Sequence, residues 1–500
     1  MEKKEKRANL ILLAILAIAL CARLVGIAAR PLWYDEAFSI LFSQKGLAAM
    51  LYGTLTPTGA GTADIHPLGY YSILWGWMKL LGDSLPAARL LSVLAGVAMV
   101  FIAHRLAKEL FEERLANFAG IFLALAPFQI HYAQEIRMYS FLALWLLTAT
   151  YAYLRGSRRG SWLWWIAFSV SAALAQYTHN LAAIYLVPLA LWPLFRRDWK
   201  TLGAVTLAGL GALVLYLPWL IQLPAQFAKV SGAYWVERPG VESIFTLLLV
   251  YVTNLPLPQG WLFPALFLAL AVTAIGLLQT FKRGDRNPAA RWLLYLSFAP
   301  PALLFLVSQW VPLYVERALL PSGAIFCLWL AWALFDTSLP KILRNGLIAL
   351  LALGAAVGLI QHAAYRGFPY APYRELDASL RERIAPGDVI VHASKATRLP
   401  MAYYDPTLQQ EYVADPAGSN TDTLAAATQQ VLGLIARPDV ASATGDAERV
   451  WFIVLQRHIE AYDGAHPSLS QLEKTFELQE IETWGDLRIY IFIRASKGNP

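Results

Sequence analysis

The 500-residue sequence predicts a polytopic α-helical membrane protein that ends in a small α/β domain. Three observations predict it. Hydrophobic residues make up 57% of the chain and charged residues 15%, with a mean hydropathy of +0.46; soluble domains carry about 25% charged residues. Charge-free runs of about 20 residues recur, the length that crosses a bilayer. Charge is also divided unevenly. Residues 1–365 hold 28 Lys+Arg against 16 Asp+Glu, a net of +12, and residues 366–500 hold 13 against 18, a net of −5. The 18 Trp and 23 Tyr suit aromatic belts at the two interfaces.

Spans are expected at about 9–29, 86–104, 115–131, 137–154, 162–180, 181–195, 201–221, 262–281, 292–309, 318–335 and 346–365, about eleven in all. The first follows Lys3, Lys4, Lys6 and Arg7. It is too long for a signal peptide and lacks a small-residue cleavage site, so it is read as a retained helix. Cys21 and Cys327 fall within spans and imply no disulfide framework. Alternate loops are basic: 1–8, 105–114, 155–160, 196–200, 282–291 (Lys282, Arg283, Arg286, Arg291) and 336–345. The positive-inside rule makes those loops cytoplasmic. The N-terminus is then inside and residues 366–500 outside. This excess of positive charge orients a membrane protein and does not point to nucleic acid.

Two apolar stretches would reverse the sidedness if they crossed. These are His66–Leu81 and about 242–255, and both read as helices lying in the outer interface. The outer segment 30–85 is therefore long and structured, and loops of that length usually carry function. Beyond residue 365, a helix is expected at 373–384, strands at 389–391, 450–455 and 487–493, and a helix at 467–477. That alternation predicts a small α/β domain. Residues 1–365 are one expected module and 366–500 the other.

Sidedness shortens the search for chemistry. Of the 16 acids before residue 366, eight fall outside, and Asp35, Glu36 and Glu135 stand out. Asp35 and Glu36 follow Trp33 and Tyr34 at the membrane boundary. Partial desolvation and a like-charged neighbour both strengthen a carboxylate as a base, and general-base help is worth about 10²–10⁴ in rate. An Asp at that position also caps a helix well; both readings stand at this level. Glu135 and Arg137 lie in the polar turn His131-Tyr132-Ala133-Gln134-Glu135-Ile136-Arg137-Met138-Tyr139. They form either a site floor that shares acid/base or metal work and binds phosphate, or a local pair closing a hairpin. Arg317 begins the tenth span on the outside, where it binds a lipid phosphate or snorkels. His66, His131 and His179 share that level with Asp35 and Glu135. A divalent cation bridging some of them is one option, although no spacing matches a dedicated zinc site. Arg23, inside the first span, needs a buried partner. No phosphate-cradling loop occurs, and the inner loops are too short to build a nucleotide-sugar domain.

Four segments carry a resemblance: Trp33-Tyr34-Asp35-Glu36-Ala37, His66-Pro67-x-x-Tyr70-Tyr71, Tyr132-x-Gln134-Glu135-x-Arg137-Met138-Tyr139 and Tyr177-Thr178-His179. Over residues 8–335 the chain resembles the bacterial branch of the protein O-mannosyltransferase and aminoarabinose transferase superfamily. The resemblance implies the C-type glycosyltransferase fold, a polyprenyl-phosphate sugar donor and inverting transfer to a lipid, glycan or protein acceptor. It implies no required cofactor. The family's catalytic Asp of the first outer loop matches Asp35, with Glu36 beside it, and Glu135 resembles the second acidic position. Arg317 is similar to the Arg that meets the donor phosphate, although Ala318 replaces the usual aromatic after it. Trp33, Tyr34, His66, Gln134, Arg137, Tyr139, His179 and Arg317 are the expected substrate-binding residues. The expected place is the cytoplasmic membrane, with transfer on its outer face. A lipid-linked-sugar flippase and a non-catalytic membrane scaffold are the alternatives.

Overall fold

The computed structural model describes residues 2–59, 61–232, 236–283, 287–335, 339–365, 367–415, 423–464 and 466–495. Arg286 of the expected inner loop lies outside the described residues. Among those described, seven helices are long and apolar enough to cross a membrane: Glu5–Leu24, Leu85–Leu110, Trp199–Leu220, Gln259–Arg283, Pro288–Val307, Glu316–Phe335 and Lys341–Ala363. An eighth span is the bent pair Glu113–Leu125 and Pro127–Ala133, broken by 55°. Pro127 explains the break, because proline lacks the N–H that would continue the hydrogen-bond ladder and is at home in a first helical turn. Helices Tyr139–Arg159, Trp162–Thr178 and Ala182–Arg196 occupy the remaining expected positions, each shorter or more polar. This is a multi-pass membrane protein, with about eight to eleven crossings.

The helix ends sort into two groups. At one end of the bundle, Arg155 and Arg159 pair with Glu109. Arg114 lies over Phe118, which stacks on Phe335, and Arg344 lies over the same Phe335 ring. These are the basic connections. At the opposite end gather Arg30, Arg89, His131, Glu135, Arg317 and His362, tied by bonds between them or to shared neighbours. Consecutive long helices therefore alternate in direction, as the basic loops require.

Segment 30–85 carries three helices, Tyr34–Gln44, Leu47–Leu55 and Gly69–Leu81. Gly69 is needed for packing: a Cβ there would lie 2.5 Å from the Tyr177 carbonyl oxygen. That close approach seats the start of Gly69–Leu81 against the end of Trp162–Thr178, which brings His66 next to His179. The second expected interfacial stretch is also a short helix, Glu242–Val252.

Beyond the last span lies a five-stranded sheet of order Gln410–Tyr412, Asp388–His392, Arg449–Leu455, Leu487–Arg494, Phe476–Trp484. The first three strands are parallel and the last two antiparallel. The inner strands are apolar on both faces, as strands covered on both sides are. Leu376, Leu380 and Met401 pack on Trp451, Ile453 and Ile489 on one side, and Val440 and Leu472 pack on Phe452 and Phe492 on the other. The expected helix 467–477 stops at Leu472, and the strand Phe476–Trp484 follows. Most of that edge strand is exposed and mixes Glu and Gln with its apolar residues, so its apolar signal is weak. The sheet region docks on the helices of segment 30–85. Thr428 Oγ1 donates to the Gly53 carbonyl at 2.9 Å, Tyr52 OH to Gln430 Oε1 at 3.0 Å and Tyr403 OH to the Asp83 carbonyl at 3.2 Å. Helix Lys395–Tyr404 lies against Tyr34–Gln44.

Candidate active site

A cavity of about 1280 Å³ opens where the non-basic end of the bundle meets the sheet region. Trp33, Tyr34, Asp35, His66, Glu135, Arg137, Tyr139, His179 and Arg317 all line it. They come from five separate stretches of sequence. The sheet region supplies the opposite wall, including Tyr370, Tyr373, Lys395, Arg457 and His458.

Asp35 sits in the first turn of Tyr34–Gln44, and Trp33, in an extended conformation, holds the cap position. Asp35 makes no capping bond, which removes the capping reading. Its Oδ2 lies 3.1 Å from Arg317 Nη1 and 3.6 Å from Arg137 Nε. Tyr139 lies under the Arg317 guanidinium at 5.2 Å, and Lys395 lies over the Tyr34 ring at 5.6 Å. Arg137 also reaches Ser39 Oγ and Tyr71 OH at 3.4 and 3.3 Å. The Asp35 carboxylate is thus held between two guanidiniums from distant parts of the chain.

Glu36 is different. Successive helical residues point about 100° apart, so Glu36 faces the interior and does not line the cavity. It is fully buried and accepts from Arg89 Nε at 3.0 Å, Arg89 Nη2 at 2.8 Å and the Ile136 N–H at 3.1 Å. Arg89 further donates to the carbonyls of Ile27, Arg30 and Pro31. A shared site for the two acids is therefore corrected: Glu36 is neutralised in a dry lock that fixes the helix start. Gln134 is also turned away. Its amide donates to the Arg23 and Val25 carbonyls and meets His362 Nε2. Arg23 is buried as expected, but its partners are the carbonyls of Ala19 and Ala124 rather than an acid.

Glu135 is paired with Arg30 and not with Arg137, which corrects the local-hairpin reading. Arg30 Nη2 donates to Glu135 Oε1 and to Tyr370 OH, both at 2.6 Å. Burial would raise the Glu135 carboxyl, but Arg30 and His131 overcome it and hold the pKa at about 2. Burial likewise opposes ionisation of Asp64, yet His66 at 2.9 Å and Lys229 keep its carboxyl well below the usual range. Burial pushes His179 well below the usual histidine value, with His66, Arg137 and Arg317 adding to it, so the ring is neutral at pH 7. The Leu181 N–H donates to His179 Nδ1, which leaves Nε2 as the protonated nitrogen.

Among the described residues, no three His, Cys, Asp or Glu side chains gather closely enough to hold a cation. Of the expected donors, Asp35 is engaged by two guanidiniums, Glu135 by Arg30 and His66 by Asp64. This donor set does not fit a divalent ion. Arg30 and Arg89 were not foreseen. Arg89 carried a signal, since a charge inside the start of a span requires a partner. Arg30 read only as a flanking charge.

Apolar helices thus surround a polar cavity, with Trp33, Tyr34 and Asp35 of segment 30–85 on its wall. The comparisons sharpen this. Residues 65–222 match the family described as dolichyl-phosphate-mannose-protein mannosyltransferase. The chain is 28% identical over 324 residues to an undecaprenyl phosphate-alpha-4-amino-4-deoxy-L-arabinose arabinosyl transferase of Pseudomonas aeruginosa, covering 60% of this chain and 57% of that relative. The match thus spans little over half the length of the curated relative. Among solved structures, ArnT from Cupriavidus metallidurans in the apo state superposes over 97% of this chain and 98% of its own, at 16% identity and a TM-score of 0.65. The same protein bound to undecaprenyl phosphate gives 14% identity and a TM-score of 0.63, covering 98% of this chain and 99% of its own.

Proposed function

We propose that the protein is a membrane glycosyltransferase. It moves a sugar from a polyprenyl-phosphate donor to an acceptor hydroxyl, with inversion, on the outer face of the cytoplasmic membrane. The carrying observation is Asp35, a cavity-lining carboxylate between Arg137 and Arg317. The arabinosyl transferase relatives and the undecaprenyl-phosphate-bound neighbour support a lipid-phosphate donor.

In this reading a donor phosphate enters and competes for Arg317 and Arg137, which bind phosphate as readily as carboxylate. Asp35 is thereby released to the acceptor. The acceptor oxygen attacks the anomeric carbon and the bond from that carbon to the phosphate oxygen breaks. Asp35 takes the hydroxyl proton, and the lipid phosphate leaves against the guanidiniums, whose fixed charge stabilises it. Tyr34, Trp33 and Tyr139 offer faces for the sugar. Glu36 acts on position alone, through Arg89. No step requires a cation.

Residues 1–365 form the catalytic module in this reading, with the N-terminus cytoplasmic. Residues 366–500 form an extracytoplasmic domain that roofs the site. The acceptor, whether lipid, glycan or protein, enters between the two. The test is to incubate the purified chain in vesicles with labelled polyprenyl-phosphate sugar and a cell-envelope extract. Label is expected in a glycosylated product of opposite anomeric configuration, undiminished by EDTA. Intact donor carried across the bilayer with no product would favour the flippase instead.

A further inference from the structure

The sheet region meets the cavity with one particular edge. Residues 393–396, just past strand Asp388–His392, line the cavity. So do Asp415, past Gln410–Tyr412, and Leu455, Arg457 and His458 at the end of Arg449–Leu455. These three strands are parallel, so all three point their carboxyl ends at the cavity. Their amino ends contribute none of its described lining residues. From Asp388–His392 the chain runs through helix Lys395–Tyr404 to Gln410–Tyr412, on one side. From Arg449–Leu455 it runs through helix Pro467–Leu472 to the antiparallel pair, on the other. The two helices also cover opposite faces. Met401 packs with Trp451 and Ile453, and Leu472 with Phe452 and Phe492. The connections therefore part between the two central strands. In open α/β sheets a crevice forms at such a point, outside the carboxyl ends, and ligands bind there.

This crevice faces the wall that carries Asp35. The Lys395 ammonium lies 5.6 Å from the ring centre of Tyr34, the residue before Asp35. There is also room for a second ligand. The cavity holds about 1280 Å³, more than the about 300–1,000 Å³ of a site for one small molecule. Charges of both signs stand at this edge, Lys395 and Arg457 with Asp415, so no ligand charge is singled out. Burial lowers the His458 pKa, and a neutral imidazole offers one donor and one acceptor. Tyr373 and Tyr462 add aromatic surface. A mixed edge of this kind suits a neutral polyhydroxyl ligand, because each hydroxyl both donates and accepts.

We propose that the carboxyl edge of these parallel strands is the acceptor subsite, and that it takes a carbohydrate whose free hydroxyl is presented to Asp35. This rests on the glycosyl-transfer reading above and deepens it. Lys395 and Arg457 donate to acceptor hydroxyls. The donor phosphate is held on the opposite wall, by Arg137 and Arg317.

The test uses the full chain in vesicles, with labelled polyprenyl-phosphate sugar and a dilution series of cell-envelope extract. Lys395→Met keeps the apolar stem over Tyr34, and Arg457→Ala removes an exposed guanidinium. Each should raise the extract needed for half-maximal transfer by about 10-fold, the size of one hydrogen bond to a charged group, and leave the donor requirement within about twofold of wild type. A general disturbance of the fold would move both requirements together. Periodate, which cleaves vicinal diols, should abolish the acceptor activity of the extract, and protease should spare it. An unchanged extract requirement in both variants, or a donor requirement that rises in step with it, overturns the subsite. Acceptor activity that survives periodate, or that protease removes, overturns the carbohydrate assignment. A wild type that transfers no label overturns the glycosyl-transfer reading itself, and this one with it.

Discussion

Asp35 and Glu36 are neighbours in the chain, yet they sit in two unlike charge clusters. Glu36 is dry, bidentate to Arg89 and further bonded by a backbone N–H, with Arg89 spending its remaining donors on three carbonyls. Asp35 stands at a cavity, with longer contacts to two arginines that line the same space. One cluster is closed and the other is open to exchange. The difference teaches that acid content does not mark a working site. What marks it is a carboxylate whose partners a ligand can take over.

The comparison breaks first on stability. Arg89→Met leaves Glu36 as an uncompensated buried charge and should cost about 3–5 kcal/mol, read as thermal unfolding in detergent. Asp35→Asn, at the open cluster where cavity water can solvate Arg137 and Arg317, should cost clearly less. The reverse order would mean that the two clusters have been assigned the wrong way round. Arg317→Ala comes next. Losing one charge-assisted contact, at about 1.5–3 kcal/mol, should weaken polyprenyl-phosphate binding by about 10- to 100-fold while unfolding changes little. Binding unchanged by that substitution would remove Arg317 from the phosphate site.

The smallest effect is on pH. Glu135 has its folded pKa lowered from 4.5 to about 2, so its pairing contributes stability that is fully present above pH 4.5. That contribution is lost as pH falls through 2. Glu135→Gln should flatten the stability profile between those values and leave its shape above pH 5 unchanged. A flattening near neutral pH instead would point to a histidine.

Much of the fold was legible because span helices are defined locally. About 20 apolar residues between basic loops suffice, and the helices lie at or near the positions expected from that pattern. The short helices Gly69–Leu81 and Glu242–Val252 were legible by exclusion, since crossing would have reversed the basic loops. The edge strands Gln410–Tyr412 and Phe476–Trp484 were not, because one is three residues long and the other presents polar side chains to solvent. Within the site, Asp35, Arg137 and Arg317 could be named from type and depth. Their partners could not. Glu36 finds Arg89 across 53 residues, and Arg30 finds Glu135 across 105. No local pattern encodes which cation meets which acid. The second acid of the Asp35-Glu36 pair looked equal to the first because helix phase, which separates them, depends on where the helix begins.

The account stands on Asp35 being the exchangeable carboxylate of the cavity. Its most direct test measures donor-lipid binding and product formation side by side for purified Asp35→Asn in vesicles. The expected result is donor binding at least as tight as in wild type, because Asp35 no longer competes for Arg137 and Arg317, with transfer reduced by about 10²–10⁴. Transfer at the wild-type rate would contradict it.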